Sequence, residues 1–538
     1  MFLTLSVNTL KSNHMRKLYF LFLLQITFLA NAGAYNNPIN HGFLPDPSIC
    51  RVGADYYMVN STFEYFPGVP VFHSKDLVSW VQIGNVLTRE SQLPLRNTLP
   101  SDGIYAPTLR YHDGIFYMVV TLVNSGKEKK NFYVTATDPA GTWSDPIVVD
   151  QSGIDPSLFW DEDGKTYFLS NRGLTFTTER AIYQSEIDIK TGKRFTEPRI
   201  LWKGSGGSYV EGPHMYKKDG YYYLLTAEGG TQYGHMVCIS RSKNIWGPYE
   251  SCPQNPILSN RYAYEKLYGT GHADLIQAHD GSWWMVHLAF RTPQVLGRET
   301  CLAPVKWNEQ GWPVVNGNGT NSLVNNAETL PERPFNPEAV RTDFGNGSTG
   351  FEWIYLRNPE PENYSYAVRK GTLALIGSKF SIFDIASPTF LGRRQAHFKF
   401  NATTLLDFNP KKENEEAGLL IEMTNKFNYR FVITKNGKNR KLRVLYSLDD
   451  LKGCAGETDL KPGAVRLRIT GDKKNYNFQV AQGTDAFRSV GKLNVQFLSA
   501  EVTGGYNGVV LGIYASGNGE KSTTSAFYSW FDYEPLNN

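Results

Sequence analysis

One pattern recurs five times in about the first 310 residues, and it constrains the fold more than any other feature of the chain. Each copy has a polar or small residue, a short apolar stretch, a turn containing Gly, and an aromatic-rich run. The copies are DPSICRVGADYYMVN from Asp46, APTLRYHDGIFYMVV from Ala106, DPSLFWDEDGKTYFLS from Asp155, EGPHMYKKDGYYYLLT from Glu211 and HADLIQAHDGSWWMVH from His272. Gly53 heads the first turn, and Asp-Gly pairs at 113–114, 163–164, 219–220 and 280–281 mark the others. Asp-Gly between alternating runs is a strong hairpin signal, because both residues tolerate the left-handed backbone of a tight turn. The markers Gly53, Asp113, Asp163, Asp219 and Asp280 lie 60, 50, 56 and 61 residues apart. That interval holds four short strands, one blade of a propeller. Helical periodicity is weak throughout. The chain is therefore expected to be all-β, beginning with a five-bladed β-propeller. An array of sandwiches would not explain so regular a recurrence.

A propeller gives these copies a common address. The first strand of every blade runs along the central channel, so equivalent positions face one point on the axis. The residue seven or eight positions before each marker is Asp46, Ala106, Asp155, Glu211 or His272. Three carboxylates and a histidine are thus expected to converge. Gathering like charges in a narrow channel costs desolvation and repulsion, which acid–base chemistry requires and structure alone rarely justifies. Taken singly, an Asp-Pro is more often a turn than a catalyst; the equivalence of the positions reverses that reading. The DEDG of residues 161–164 lacks the later ligands of a calcium loop and reads as an exposed hairpin.

The stretch FLPDPSICRVGADYYMVNSTFEYFPGVPVFHSKDLVSW resembles the opening of glycoside hydrolase family 43. IDPSLFWDEDGKTYF, YVEGPHMYKKDGYYYLLTAEGG and LGRET are similar to its other motifs, in the same order. The resemblance spans essentially the whole mature chain and implies a five-bladed propeller with inverting action on pentose polymers. It implies that Asp46 is the general base, Glu211 the general acid, and Asp155 the carboxylate that orients the acid and raises its pKa. It further implies that Arg298 contacts the sugar in the reacting subsite and that Phe63 is an aromatic wall. His272 is implied to hold a sugar, a water or a calcium-like ion; no cofactor is otherwise required. His272 satisfied within the core, Arg298 paired only with Glu299, and Phe63 serving only as packing are the plainer alternatives. An inverting pair needs roughly 6.5–9.5 Å between acid and base to seat a water.

Pro, Glu and Asn become frequent near 325–337, which reads as a linker. Beyond it, apolar and polar residues alternate in short runs at 372–376, 395–400, 418–423, 429–434, 441–446, 464–469, 476–480 and 509–514. Gly- and Asn-rich turns between them predict a β-sandwich. It resembles the concanavalin-like sandwich that follows the propeller in many pentosidases of the family, where it packs on the propeller and can lend a loop to the pocket. A stand-alone sugar-binding module is the alternative. The expected division is an export signal at 1–34, a catalytic propeller at 35–325, a linker at 326–337 and an accessory sandwich at 338–538.

The export signal rests on basic Met15-Arg16-Lys17, a mostly apolar run at 18–30, and two small-x-small cleavage sites, Ala30-Asn31-Ala32 and Ala32-Gly33-Ala34. It predicts a secreted or periplasmic protein; a retained membrane-surface anchor is the alternative, and no segment is apolar enough to span a membrane. Five scattered cysteines fit neither a disulfide framework nor zinc, with Cys238 and Cys252 the one pair that could bridge. Net charge is +4 with both signs interspersed, which argues against nucleic acid as a partner. The expected partner is a hemicellulose-derived oligosaccharide, cut by an exo-acting, inverting α-L-arabinofuranosidase or β-D-xylosidase. An endo-arabinanase would need an open groove, whereas the insertions at 88–100 and 259–267, together with the extra domain, are read as closing the pocket at one end. A non-catalytic sugar-binding propeller would have no use for three acids on one axis.

Overall fold

The computed structural model describes residues 33–124, 129–172, 180–261, 263, 266–327, 330 and 340–536. The expected signal at 1–34 therefore lies almost wholly outside the described residues. Five four-stranded antiparallel sheets follow one another, each with its strands in chain order. Their first strands are Ser48–Val52, Gly103–His112, Ile154–Trp160, Glu211–Lys218 and Tyr268–Gln277. Each of these touches the first strand of the next blade, and the fifth touches the first, so they close a ring around one axis. The five blades are those that the recurring segments predict. Ala34–Asn36 pairs with Val324–Asn326 and ties the two ends of the ring together. That pairing takes in the first residue of the expected linker, and most of the rest of 326–337 lies outside the described residues.

The turn chemistry extends to the inner end of each blade. Asp46, Ala106, Asp155 and His272 have φ of 53°, 30°, 54° and 45°, and Gly212 takes the same place in blade 4 with φ 59°. In blades 1 to 4 the next residue is Pro, which bars the right-handed helical region to the residue before it. The ladder slips beside these residues, between Tyr105 and Thr108, Ile154 and Ser157, and Glu211 and His214. A bulge of this kind re-aims side chains, and each left-handed non-Gly residue costs about 1–3 kcal/mol that the surrounding blade must offset.

The C-terminal part is a sandwich of two eight-stranded sheets. Residues such as Phe400, Leu419, Phe431, Phe478, Leu511 and Phe531 are buried between them. Seven of the eight expected runs fall on strands; the one at 395–400 does not, because the strand Thr389–Arg394 ends there and Phe400–Asp407 begins, with Gln395 held by Val509 and His397. One sheet takes its last strand from the propeller, with Tyr65 opposite Leu356 and Phe66 opposite Tyr355. Its outer face buries Ile354, Phe390, Leu420 and Tyr514 against propeller residues Phe43, Phe63 and Tyr65. Fully burying one such side chain stabilises by roughly 1.5–3 kcal/mol, so this is a fixed joint rather than a hinge. All five cysteines are free, four of them buried, so Cys238 and Cys252 form no bridge.

Candidate active site

A cavity of about 410 Å³ opens at one end of the propeller axis, lined by Asp46, Asp155, Glu211, His272, Arg298 and Phe63. All six residues expected at the site therefore meet in one place. Tyr105, Ala106, Ile154, Tyr209, Thr231 and Tyr506 also stand on its walls. The bulges explain why both members of a pair such as Tyr105–Ala106 or Ile154–Asp155 reach the cavity.

Asp46 and Glu211 sit in opposite electrostatic settings. Ser61 Oγ donates to Asp46 Oδ2 at 2.6 Å, Arg298 Nη1 donates to Oδ1 at 3.0 Å, and His272 Nδ1 lies 3.9 Å away. Burial alone would raise the Asp46 pKa; Arg298, His272 and Ser61 together hold it below the usual carboxylate value. Among the described residues no cation forms an ion pair with Glu211. Burial, then the charges of Asp155 and Asp46, push it well above the usual value. Burial also raises Asp155, which accepts the Gly212 N–H at 3.1 Å and so grips the chain immediately after Glu211. One carboxylate is set to remain ionised and another to keep its proton.

Arg298 Nη1 also donates to Thr231 Oγ1 at 2.9 Å, and its buried Nε has no partner among the described residues. Its guanidinium lies 5.6 Å from the ring centres of both Phe63 and Tyr506. Glu299, the alternative partner for Arg298, is instead held by Arg291 at 2.7 and 2.9 Å. Phe63 stacks between Phe43 and Tyr506, with ring centres 5.6 and 5.9 Å away.

Two to four residues farther along the first strands, the channel is filled rather than open. Asp274 accepts from Ser48 Oγ and Arg110 Nη1, both at 2.7 Å, and from Tyr216; Arg110 Nη2 lies 2.8 Å from His214 Nδ1. This buried network joins blades 1, 2, 4 and 5 beneath the cavity. It also decides how well a calcium ion would fit. Calcium takes six to eight oxygen ligands. Here a guanidinium occupies the axis, and no cluster of three or more His, Cys, Asp or Glu among the described residues is spaced for a metal. The residues around His272 do not fit a calcium ion.

Two features differ from the sequence reading. Glu211 is not the counterpart of Asp46 and Asp155: Gly212 holds that left-handed position, and Glu211 stands one residue earlier, opposite Ala227 across the bulge. The reason is steric, since a Cβ on Gly212 would lie 3.1 Å from the His272 ring. Aligning the blades on Pro47, Pro107, Pro156 and Pro213 instead of on the turns would have given this register. Secondly, among the described residues none that lines the cavity comes from 88–100 or 259–267. The first segment receives the sandwich instead: Asn358 bonds the Leu95 N–H and the Leu93 carbonyl, and Arg357 Nε donates to the Thr98 carbonyl. The second is only partly within the described residues.

The wall is closed by Tyr506, which sequence reasoning did not single out; its one signal is an aromatic in the turn Gly504-Gly505-Tyr506-Asn507-Gly508. Its N–H bonds Ser101 Oγ at 3.0 Å, and Asn507 Nδ2 donates to Glu64 Oε1 at 2.7 Å. In exchange the propeller sends Val295 and Leu296, both fully buried, into the sandwich core, two residues before Arg298. Gly297 meets Gly508 where a Cβ would come within 3.0 Å of backbone.

Both parts of the chain match known proteins. Residues 35–313 match glycosyl hydrolases family 43, and residues 341–534 match the beta xylosidase C-terminal concanavalin A-like domain. The chain is 44% identical to a non-reducing end alpha-L-arabinofuranosidase of Bacteroides ovatus, over 93% of this chain and 95% of that one. It is 39% identical to a xylosidase/arabinosidase of Butyrivibrio fibrisolvens, over 93% and 99%. Among solved structures, one described as Bacteroides ovatus xyloglucan PUL GH43B superposes with a TM-score of 0.90 at 43% identity, covering 94% of this chain and all of that one. A xylan beta-1,4-xylosidase of Bacillus halodurans gives 0.88 at 33%, covering 93% and all.

Proposed function

The chain belongs to glycosyl hydrolases family 43, and from that premise we propose that it releases single terminal pentoses from hemicellulose oligosaccharides by inverting hydrolysis. The observation that carries the mechanism is the split between Asp46, held ionised by Arg298 and Ser61, and Glu211, kept protonated by burial and by Asp155. Asp46 takes a proton from water as that water attacks the anomeric carbon. Glu211 gives its proton to the departing oxygen. Asp155 holds the backbone after Glu211 and supplies the charge that keeps the acid protonated. Arg298 and the Phe63–Tyr506 stack seat the reacting sugar. No cofactor enters this scheme.

The cavity is walled on the sandwich side by Tyr506, which suits a chain end rather than a chain interior. The sugar released is α-L-arabinofuranose in this reading, supported by the name of the relative at 44% identity. β-D-Xylose is the second reading, favoured by the xylosidase names of relatives at 34–39%. The basic-then-apolar start supports action outside the cytoplasm. No helix among the described residues is long and apolar enough to cross a membrane. Proton NMR of the first product from matched arabinosides and xylosides tests the proposal: the anomer formed should be opposite to that of the substrate, one pentose at a time. Retention of configuration overturns the mechanism.

A further inference from the structure

We propose that Tyr209 is the platform on which the leaving-group sugar stacks, and that with Arg180 it selects substrates whose terminal pentose is joined to another sugar ring. Tyr209 lies two residues before Glu211, lines the cavity and is 49% exposed. An aromatic ring left half in solvent beside the acid contributes little to the core. Its backbone has φ 58°, a conformation an aromatic residue rarely adopts.

The loop that carries it is fastened with care. The N–H groups of Ser205 and Gly207 donate to the fully buried Glu228 carboxylate at 2.7 and 2.8 Å, and Gly229 N–H donates to the Ser208 carbonyl at 2.6 Å. Gly207 has no room for a Cβ, which would come 2.4 Å from Met236 and 2.8 Å from Glu228. A buried carboxylate and a crowded glycine thus hold a strained, outward-facing tyrosine at the mouth. The Arg180 guanidinium sits 4.1 Å from the ring centre. An aromatic face covers the C–H face of a sugar, and a guanidinium fork beside it donates to hydroxyls. Since the acid protonates the leaving oxygen, a platform beside the acid faces the leaving group and not the pentose.

This inference rests on the proposed role of Glu211, so the test separates the two. Initial rates are measured on a pentosyl disaccharide and on the corresponding pentosyl fluoride, whose leaving group has no ring to stack and needs little protonation. Tyr209→Ala should lower kcat/KM on the disaccharide at least tenfold more than on the fluoride, chiefly through KM, and Tyr209→Phe should restore most of the difference. A smaller differential, with the variant folded by near-UV circular dichroism, overturns the platform. If Tyr209→Ala does not fold, Tyr209→Phe together with Arg180→Ala decides: a disaccharide-specific rise in KM for Arg180→Ala supports the inference, and equal effects on both substrates overturn it. Glu211→Gln on the same pair checks the acid independently: failure of that reading appears as equal losses, whatever Tyr209 does.

Discussion

The propeller and the sandwich reach the same cavity by different routes. In the propeller, five blades repeat one left-handed turn at or just before the first strand, around an axis, and three of the blades deliver the carboxylates. In the sandwich, one loop delivers one ring, Tyr506, and depends on a reciprocal insertion of Val295 and Leu296 to keep its place. Repetition makes the site redundant in architecture but not in sequence, because the shared position holds Asp46, Ala106, Asp155, Gly212 and His272 in turn. The joint has no repetition, so each contact there stands alone. Residues of the propeller axis should therefore govern turnover, and residues of the joint should govern substrate affinity and stability.

The largest effects test the first half of that contrast. Glu211→Gln should cut turnover about 10²–10⁴-fold on substrates with poor leaving groups, the range ascribed to a positioned proton donor. Aryl pentosides with acidic phenols should lose much less. Steady-state kinetics across a leaving-group series checks this, and equal losses would break the assignment. Asp155→Asn removes a negative charge that keeps the proton on Glu211. The alkaline limb of the pH–rate profile should then move to lower pH, and an unmoved limb would leave Asp155 with only its bond to Gly212.

A smaller effect should separate the two directions of exchange across the joint. Leu296 is fully buried among sandwich residues and lies two residues from Arg298. Leu296→Ala should destabilise by about 2–5 kcal/mol through the cavity it leaves, and should raise KM by loosening Arg298. Tyr506→Ala should raise KM without a comparable loss of stability, because its ring packs against the cavity wall and not inside the sandwich core. Denaturant titration beside Michaelis–Menten kinetics checks both. Equal stability losses for the two variants would mean the exchange is not directional.

The same contrast explains what could be read from the sequence. The blades were legible because Gly53 and four Asp-Gly turns punctuate them at regular intervals. The convergence of Asp46, Asp155, Arg298 and His272 followed from topology and family motifs. The one-residue displacement of Glu211 was hidden by a turn-based alignment that ignores where the bulge falls. Tyr506 and Tyr209 were missed because neither sits at a repeated position; one depends on docking between domains and the other on a loop shaped by the distant carboxylate of Glu228. The strand at 389–394 was misplaced because the apolar pattern runs through Gln395 to Phe400 without a turn signal.

The smallest predicted effect concerns the joint alone. Glu422, on the sandwich strand Glu416–Glu422, is buried and accepts from the Tyr65 hydroxyl of the propeller at 2.7 Å. Burial pushes its pKa up to about 7, and burial together with the Glu422 charge pushes Glu64 up to about 8. Arg357 and Arg394 are the buried cations nearby; Arg357 gives its hydrogen bonds to the Thr98 and Ala386 carbonyls, not to either acid. A carboxyl group whose pKa is higher folded than unfolded binds a proton more tightly in the folded state. Its stabilisation is complete below about pH 4.5 and is lost as pH rises through the folded value. The joint should therefore weaken between pH 5 and 8. Glu422→Gln cannot ionise, keeps an acceptor for Tyr65, and removes the charge that raises Glu64. Its melting temperature should fall less than that of the native chain over this range, by about 2–4 °C for each 1 kcal/mol of linkage removed. Calorimetry of both proteins at pH 5 and pH 8 measures the difference. Parallel slopes would show that the Glu64–Glu422 pair does not titrate with the joint, and that the two domains are held by apolar contact at every pH in that range.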